Sequence, residues 1–483
     1  MASMQEKGDT KVLVLGSVDS GKSSLIGVLA YGTQDDGKGL SRSKSTTHKH
    51  EADVGRTSTI SYHTTGFNGQ MQWVPQTVSA SAKPHQKDRS CRELVEKSER
   101  LLTFVDLAGH ERYLKTTISG MTGSRPDYAL IIIGSNRGVL KMTKEHIGVA
   151  ISLNIPFACV MTKIDLAPKD IFTKHKEFLF KLLKSPVCGK MPYQIKSMKD
   201  ASSVKITPAM CPVFTVSSVT MEHIDSLTRF LYRLTEKEAP VSNEEKKEED
   251  QMTEFEIDET FTVTGIGLVV SGTVVSGTLK ENDTLLLGPF EDKSFRPVQV
   301  KTIHCKRVPV SFVEAGTFTA VAIKLLHEKV ESALHVENTK ILTREMVRKA
   351  MVLVSPSCQN KPTWVFKARV HILHHPTTIK EKFQTVIHNN KIRQTASLEK
   401  IILESEEKDK TACLRTGSKA IVEFHFQKYP EMMALDSQFV FREGTTRGVG
   451  TVTEILDHLP RPNTNQRNRA RKRRNRPRRK RKK

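Results

Sequence analysis

The chain has 483 residues, 37% of them hydrophobic, and carries 76 Lys and Arg against 53 Asp and Glu, for a net charge of +23. That length holds about three domains at roughly 150 residues each, and the apolar content is enough for packed cores. No apolar run approaches the ~18 residues needed to cross a bilayer, residues 1–10 lack a signal-peptide core, and the seven cysteines form no C-x-x-C pair, so no membrane partner, zinc site or disulfide framework is expected, and the chain is expected to be cytoplasmic.

Residues 11–15 read as a short buried strand and residues 24–30 as a helix, and between them Gly16-Ser17-Val18-Asp19-Ser20-Gly21-Lys22-Ser23 fits G-x-x-x-x-G-K-S/T. Strand, loop and helix in that order are the context of a phosphate-binding loop. Gly16 and Gly21 let the backbone wrap tightly, so the amides from Asp19 through Ser20 and Gly21 point at phosphate oxygens. Lys22 supplies a point charge for the outer phosphates and Ser23 a hydroxyl for Mg²⁺. In Gly55-Arg56-Thr57-Ser58-Thr59-Ile60 a threonine is the candidate second hydroxyl ligand, and the residues alone leave Thr57 and Thr59 open. Residues 61–100, polar and poor in aromatics, read as a surface insertion.

Residues 101–106 form the next strand-like run and end in Asp106-Leu107-Ala108-Gly109. The Asp106 carboxylate is placed to hold Mg²⁺ through water, and Gly109 leaves its amide free for the γ-phosphate. His110, in register with Gly109, is read as positioning the attacking water rather than as a surface histidine. Runs at 128–133, 157–162 and 213–217, with a helix at 144–153, continue the alternation. Thr162-Lys163-Ile164-Asp165 follows the second of these runs. Asp165 can accept both the N1–H and the exocyclic amine of guanine, an arrangement that adenine cannot satisfy. Lys163 can lay its stem on the base plane. Ser217-Ser218-Val219 can offer a backbone N–H to the base oxygen. The predicted class is an α/β P-loop GTPase domain over 9–236, a mostly parallel sheet with helices on both faces. A charged linker follows at 237–251. Short strands with regularly placed glycines then predict two small β-barrels, at 252–346 and 347–456.

Residues 457–483 form a basic tail. Fourteen Lys and Arg and no acid fall in 461–483, and the remaining 62 basic and 53 acidic residues leave +9 for the rest. Such a block repels itself and binds nucleic-acid backbone without reading bases, since it holds no aromatic residue. A nuclear-import signal is the competing reading.

The set GSVDSGKS, RTSTI, DLAGH and TKID resembles the translation-factor-type GTPases related to elongation factor Tu, over about residues 9–456. Within that superfamily the stretches at 48–58, 142–146 and 160–165 are most similar to the eukaryotic GTP-binding protein 1 and 2 type. The resemblance implies hydrolysis of GTP to GDP with Mg²⁺, stimulation by the ribosome, and binding of aminoacyl-tRNA or a related RNA by what is expected to be a monomer. It makes Asp19 a contributor to monovalent-cation binding and prefers Thr59 to Thr57 as Mg²⁺ ligand. It also marks departures. Thr162 stands where Asn is usual, which predicts a weaker tie between base loop and phosphate loop. Ser58 is polar where one side of an apolar gate over the histidine is expected, leaving Val18 as the other side. The alternative function is a nucleotide-dependent RNA-binding or surveillance module with slow hydrolysis.

Overall fold

The structure, a computed structural model, describes residues 9–46, 51, 57–79, 81–236, 252–326, 343–358, 361–403 and 413–456; the charged linker and the basic tail lie outside them. The chain separates into two compact units, one of residues 1–288, 295–359 and 388–393, the other of 289–294, 360–387 and 394–483.

The first unit opens on a sheet of β1 (Asp9–Gly16), β2 (Ser61–Phe67), β3 (Trp73–Val74), β4 (Arg100–Asp106), β5 (Tyr128–Gly134), β6 (Phe157–Thr162), β7 (Met191–Gln194) and β8 (Met210–Thr215). The spatial order is β3-β2-β4-β1-β5-β6-β8-β7. Every neighbour from β4 to β7 in that order is parallel, whereas β2 and β3 run antiparallel. The helices are α1 (Lys22–Tyr31), α2 (Leu40–Ser45), α3 (Pro84–Lys97), α4 (Leu114–Gly123), α5 (Lys141–Ser152), α6 (Lys169–Leu183), α7 (Met198–Ser203) and α8 (Ile224–Thr235). β1 shows why the sheet is covered twice. Val12 and Val14 pack with Leu25 and Leu29 of α1 and Leu227 and Leu231 of α8. Leu13 and Leu15 pack with Met121, Ile147, Leu179 and Leu183 from α4, α5 and α6. A strand buried on both faces reads as one continuous apolar run, which is how it shows in the sequence.

The stretch expected to be a surface insertion is instead part of the domain's architecture. Ser61 lies opposite Asp106 and Phe67 opposite Arg100, so 61–67 is a full strand of the central sheet. The Trp73 indole donates to the Leu29 carbonyl and to Thr65 Oγ1, both at 2.9 Å, tying the following hairpin to α1. Leu94 and Val95 of α3 pack on Leu101. His63, buried in β2, shares hydrogen bonds of 2.9 Å with Tyr31 and Ser61.

The first barrel uses β9 (Glu254–Val263), β10 (Gly267–Ser276), β11 (Thr278–Lys280), β12 (Thr284–Gly288), β13 (Arg296–Cys305), β14 (Val308–Val310), β15 (Phe312–Glu314), β16 (Phe318–Leu325) and β17 (Val352–Val354). The ring β12-β17-β9-β10-β16-β13 closes through β12 and β13. β17 pairs with β9 and β12, so the first barrel takes strand residues beyond 346, where the sequence begins the second. Within this unit Lys306 of the barrel reaches Asp9 at 3.0 Å and the Thr103 hydroxyl at 2.6 Å, and Tyr62 stacks on Phe318.

The second barrel, β18 (Val365–His374), β19 (Gln384–Asn389), β20 (Ile392–Leu403), β21 (Lys419–Phe426), β22 (Gln438–Glu443) and β23 (Thr446–Leu456), closes in the order β18-β21-β20-β19-β22-β23. Its core is aromatic: Phe366, Phe424, Phe426, Phe439 and Phe441 are buried and in mutual ring contact. Among the described residues no helix is long and apolar enough to cross a membrane. All seven cysteines are free thiols.

Candidate nucleotide-binding site

The phosphate loop leaves β1, Asp106 to His110 leave β4, Thr162 to Asp165 leave β6 and Ser217 to Val219 follow β8, so all four predicted motifs meet at the carboxyl ends of parallel strands. That edge is where open α/β sheets take ligands. A cleft of about 110 Å³ there is lined by Val18, Asp19, Gly21, Lys22, Ser23, Ser24, Arg42, Thr57, Gly109, His110 and Lys163.

The loop is built to meet anions. Asp19 and Gly21 adopt left-handed backbone, with φ of 59° and 85°. Gly21 caps α1 without a side-chain hydrogen bond, and the first turn of α1 has no acid, so the amides there are available to phosphate oxygens. Lys22 is buried and donates to the Ser17 carbonyl at 2.9 Å. Burial pushes its ammonium below the ordinary lysine range, against the pull of Asp106 and Asp19. A phosphate group would supply the negative charge that this ammonium lacks. Gly109 lies where no side chain fits: a Cβ would stand 2.5 Å from both the Gly16 carbonyl and Lys22 Nζ. Ser20 Oγ is buried with no hydrogen-bond partner among the described residues. The Ser17 hydroxyl holds Thr143 of α5 at 2.9 Å.

The residues for Mg²⁺ are together. Ser23 Oγ donates to Asp106 Oδ2 at 2.9 Å and lies 3.0 Å from Thr57 Oγ1. Asp106 Oδ1 is buried with no hydrogen-bond partner among the described residues. Burial raises the Asp106 carboxyl, although Lys22, Ser23 and Thr57 act to lower it. A carboxylate with one oxygen orphaned and the other held by two hydroxyls fits a hard, oxygen-seeking cation, which would supply charge to polarise phosphate oxygens. The threonine at this point is Thr57. Thr59, preferred by the resemblance, is turned to Glu51: its amide and hydroxyl donate to Glu51 Oε1 at 3.1 and 3.0 Å. Ser58 does the same at 2.7 and 2.9 Å. Burial works to raise the Glu51 carboxyl, and these four donations outweigh it and leave the group below its ordinary range. Ser58 is therefore held by Glu51, and of the expected gate only Val18 lines the cleft with His110. Glu51 belongs to no motif in the sequence; an isolated acid carries no signal until its partners are seen.

His110 Nδ1 accepts from the Arg112 amide at 3.1 Å, which places the ring proton on Nε2. At the base end, Thr162 is buried and its hydroxyl donates to the Ser20 carbonyl at 2.6 Å. The tie between base loop and phosphate loop, expected to be weakened by the lack of Asn, is present as one short bond. Lys163 takes left-handed backbone (φ 57°), and Asp165 is exposed. Ser217 is buried and its hydroxyl accepts from the Val219 and Thr220 amides at 3.2 and 3.0 Å, fixing the loop that includes Ser218. Gln34 and Asp35 brace the same loop through Val219 and Ser218 carbonyls.

A family model described as the elongation factor Tu GTP binding domain matches residues 9–237. GTP-binding protein 1 of Xenopus laevis is 42% identical over 451 residues, 93% of this chain and 64% of that protein. GTP-binding protein 2 of Homo sapiens is 39% identical over 453 residues, 92% of this chain and 69% of that protein. The chain belongs to the GTP-binding protein 1 and 2 family. It is a translation-factor-type GTPase, as its motifs imply. The fold is shared with translation elongation factor SelB from Methanococcus maripaludis, solved with the GTP analogue GppNHp, at 16% identity over 94% of this chain and 80% of that one with a TM-score of 0.61. The chain spans 64% and 69% of the lengths of the two curated relatives.

Proposed function

We propose that this protein hydrolyses GTP to GDP and phosphate with Mg²⁺ while engaged with the ribosome, and that the nucleotide state is coupled to binding of aminoacyl-tRNA or another RNA. What supports the reading is the convergence of the phosphate loop, Asp106, His110 and the guanine motif on one sheet edge. Ser23, Thr57 and Asp106 would hold Mg²⁺, with Thr59 entering only if Glu51 releases it; Asp165, with Lys163, would select guanine. Asp19, which the resemblance connects with a monovalent cation, is 3.4 Å from Arg137, which would compete for that role. The protein would act as a cytoplasmic monomer, and its tail, residues 461–483, would add backbone-directed RNA affinity or nuclear import. GTP turnover with and without ribosomes tests the main reading: a large stimulation is the expected outcome. Absence of stimulation would favour the second reading, a nucleotide-dependent RNA-binding or surveillance module with slow hydrolysis, for which the capture of Ser58 by Glu51 speaks. Deleting 461–483 should weaken RNA binding steeply at low salt and leave GTP affinity unchanged; equal RNA affinity would discard the tail's role.

A further inference from the structure

The phosphate-binding motifs do not account for every cation in the cleft. Arg42 of α2 lines it beside Lys22, Ser23 and Ser24, and also lines the small recess that holds Thr57, Glu51 and Asp106. Its placement is enforced by the way α2 is fastened to α1. The Ser41 hydroxyl donates to the Ser24 carbonyl at 3.1 Å and the Ser45 hydroxyl to the Ser23 carbonyl at 3.0 Å, bracketing Arg42 on both sides. Gly27 brings the two backbones together: a Cβ there would be 2.0 Å from the Ser41 carbonyl oxygen. The two anchors are the first residues of α1 after Lys22, at the opening of the helix, where the phosphate loop ends.

The charge of the cleft calls for such a group. Lys22 is buried among Asp19 and Asp106, with Glu51 in the adjoining recess, and a nucleoside polyphosphate brings several further negative charges. A guanidinium on a fixed helix can fork two N–H groups onto phosphate oxygens, where an ammonium acts as a point charge.

We infer that Arg42 is a phosphate-binding residue of this site, clamping the part of the polyphosphate common to GDP and GTP. The assignment rests on the nucleotide reading of the cleft and extends it to a residue outside the recognised motifs. The test is calorimetric titration of the full chain and of its Arg42→Ala and Arg42→Lys variants with Mg·GTP, Mg·GDP and guanosine. Arg42→Ala should weaken GTP and GDP alike by about 10- to 100-fold, the range for a charge-assisted hydrogen bond, with Arg42→Lys between and guanosine unchanged. GTP and GDP affinities within twofold of the unaltered chain would overturn the assignment. So would a loss confined to GTP, which would put Arg42 at the γ-phosphate, or an equal loss for guanosine, which would reduce it to a support of the pocket wall. Failure of the unaltered chain to bind guanosine nucleotides would overturn the site reading itself, an outcome distinct from all of these.

Discussion

Asp106 is held in a position that costs the folded protein. Its carboxyl is raised by burial, and one of its oxygens has no partner among the described residues. Asp106→Asn is therefore expected to remove the Mg²⁺ dependence of nucleotide binding, which titration of GTP at varied Mg²⁺ would check; an unchanged dependence would contradict the assignment. His110 stands in the cleft with its Nδ1 occupied by the Arg112 amide, leaving Nε2 for the reaction. His110→Ala should slow GTP turnover by about 10²- to 10³-fold with GTP affinity retained, the loss typical of one preorganised polar group. Single-turnover kinetics would check it, and a change below about twofold would remove His110 from the chemistry. At this scale the motif residues were legible because their spacing is imposed by phosphate and base geometry. The choice between Thr57 and Thr59 was not, since it turns on Glu51, a partner whose position only the folded loop defines.

Among the elements, α1 and α2 pack backbone to backbone, and Gly27 sets the contact. Gly27→Ala would gain roughly 1 kcal/mol in helix propensity, yet its methyl has to displace the α2 backbone. A net loss of about 1–3 kcal/mol is expected, the usual range for overpacking, and urea unfolding would measure it. The strands that the sequence revealed are those buried on both faces, such as β1, β5 and β6. β2 escaped because it buries His63, Thr65 and Gly66 and so lacks an apolar run, although it pairs along its whole length with β4. β17 escaped its barrel for a different reason: three residues carry no register information, and only the pairing with β9 and β12 assigns them.

For the first unit as a whole, one charge pair between the GTPase domain and its barrel is well shielded from solvent. The Lys306 and Asp9 side chains are 14% and 12% exposed. Lys306→Ala should cost about 2–3 kcal/mol, somewhat under the range for a fully buried pair, and a double-mutant cycle with Asp9→Ala would isolate the coupling. Acid should also destabilise the fold. Burial lowers His63 to about 4 and His146 to about 3, so between these values and about 6.5 the unfolded chain binds protons that the folded one refuses. Stability is thus complete above pH 6.5 and falls as the pH drops towards 4, by on the order of a few kcal/mol per histidine; chemical unfolding at a series of pH values would show the slope. Trp73 and Trp364 are the chain's two tryptophans. Trp364 is sealed in the second barrel, whereas the half-buried indole of Trp73 rests on the last turns of the helix that starts at the phosphate loop. Intrinsic emission therefore gives a label-free optical readout of ligand occupancy: any spectral change on adding guanosine nucleotide should disappear in Trp73→Phe and survive in Trp364→Phe.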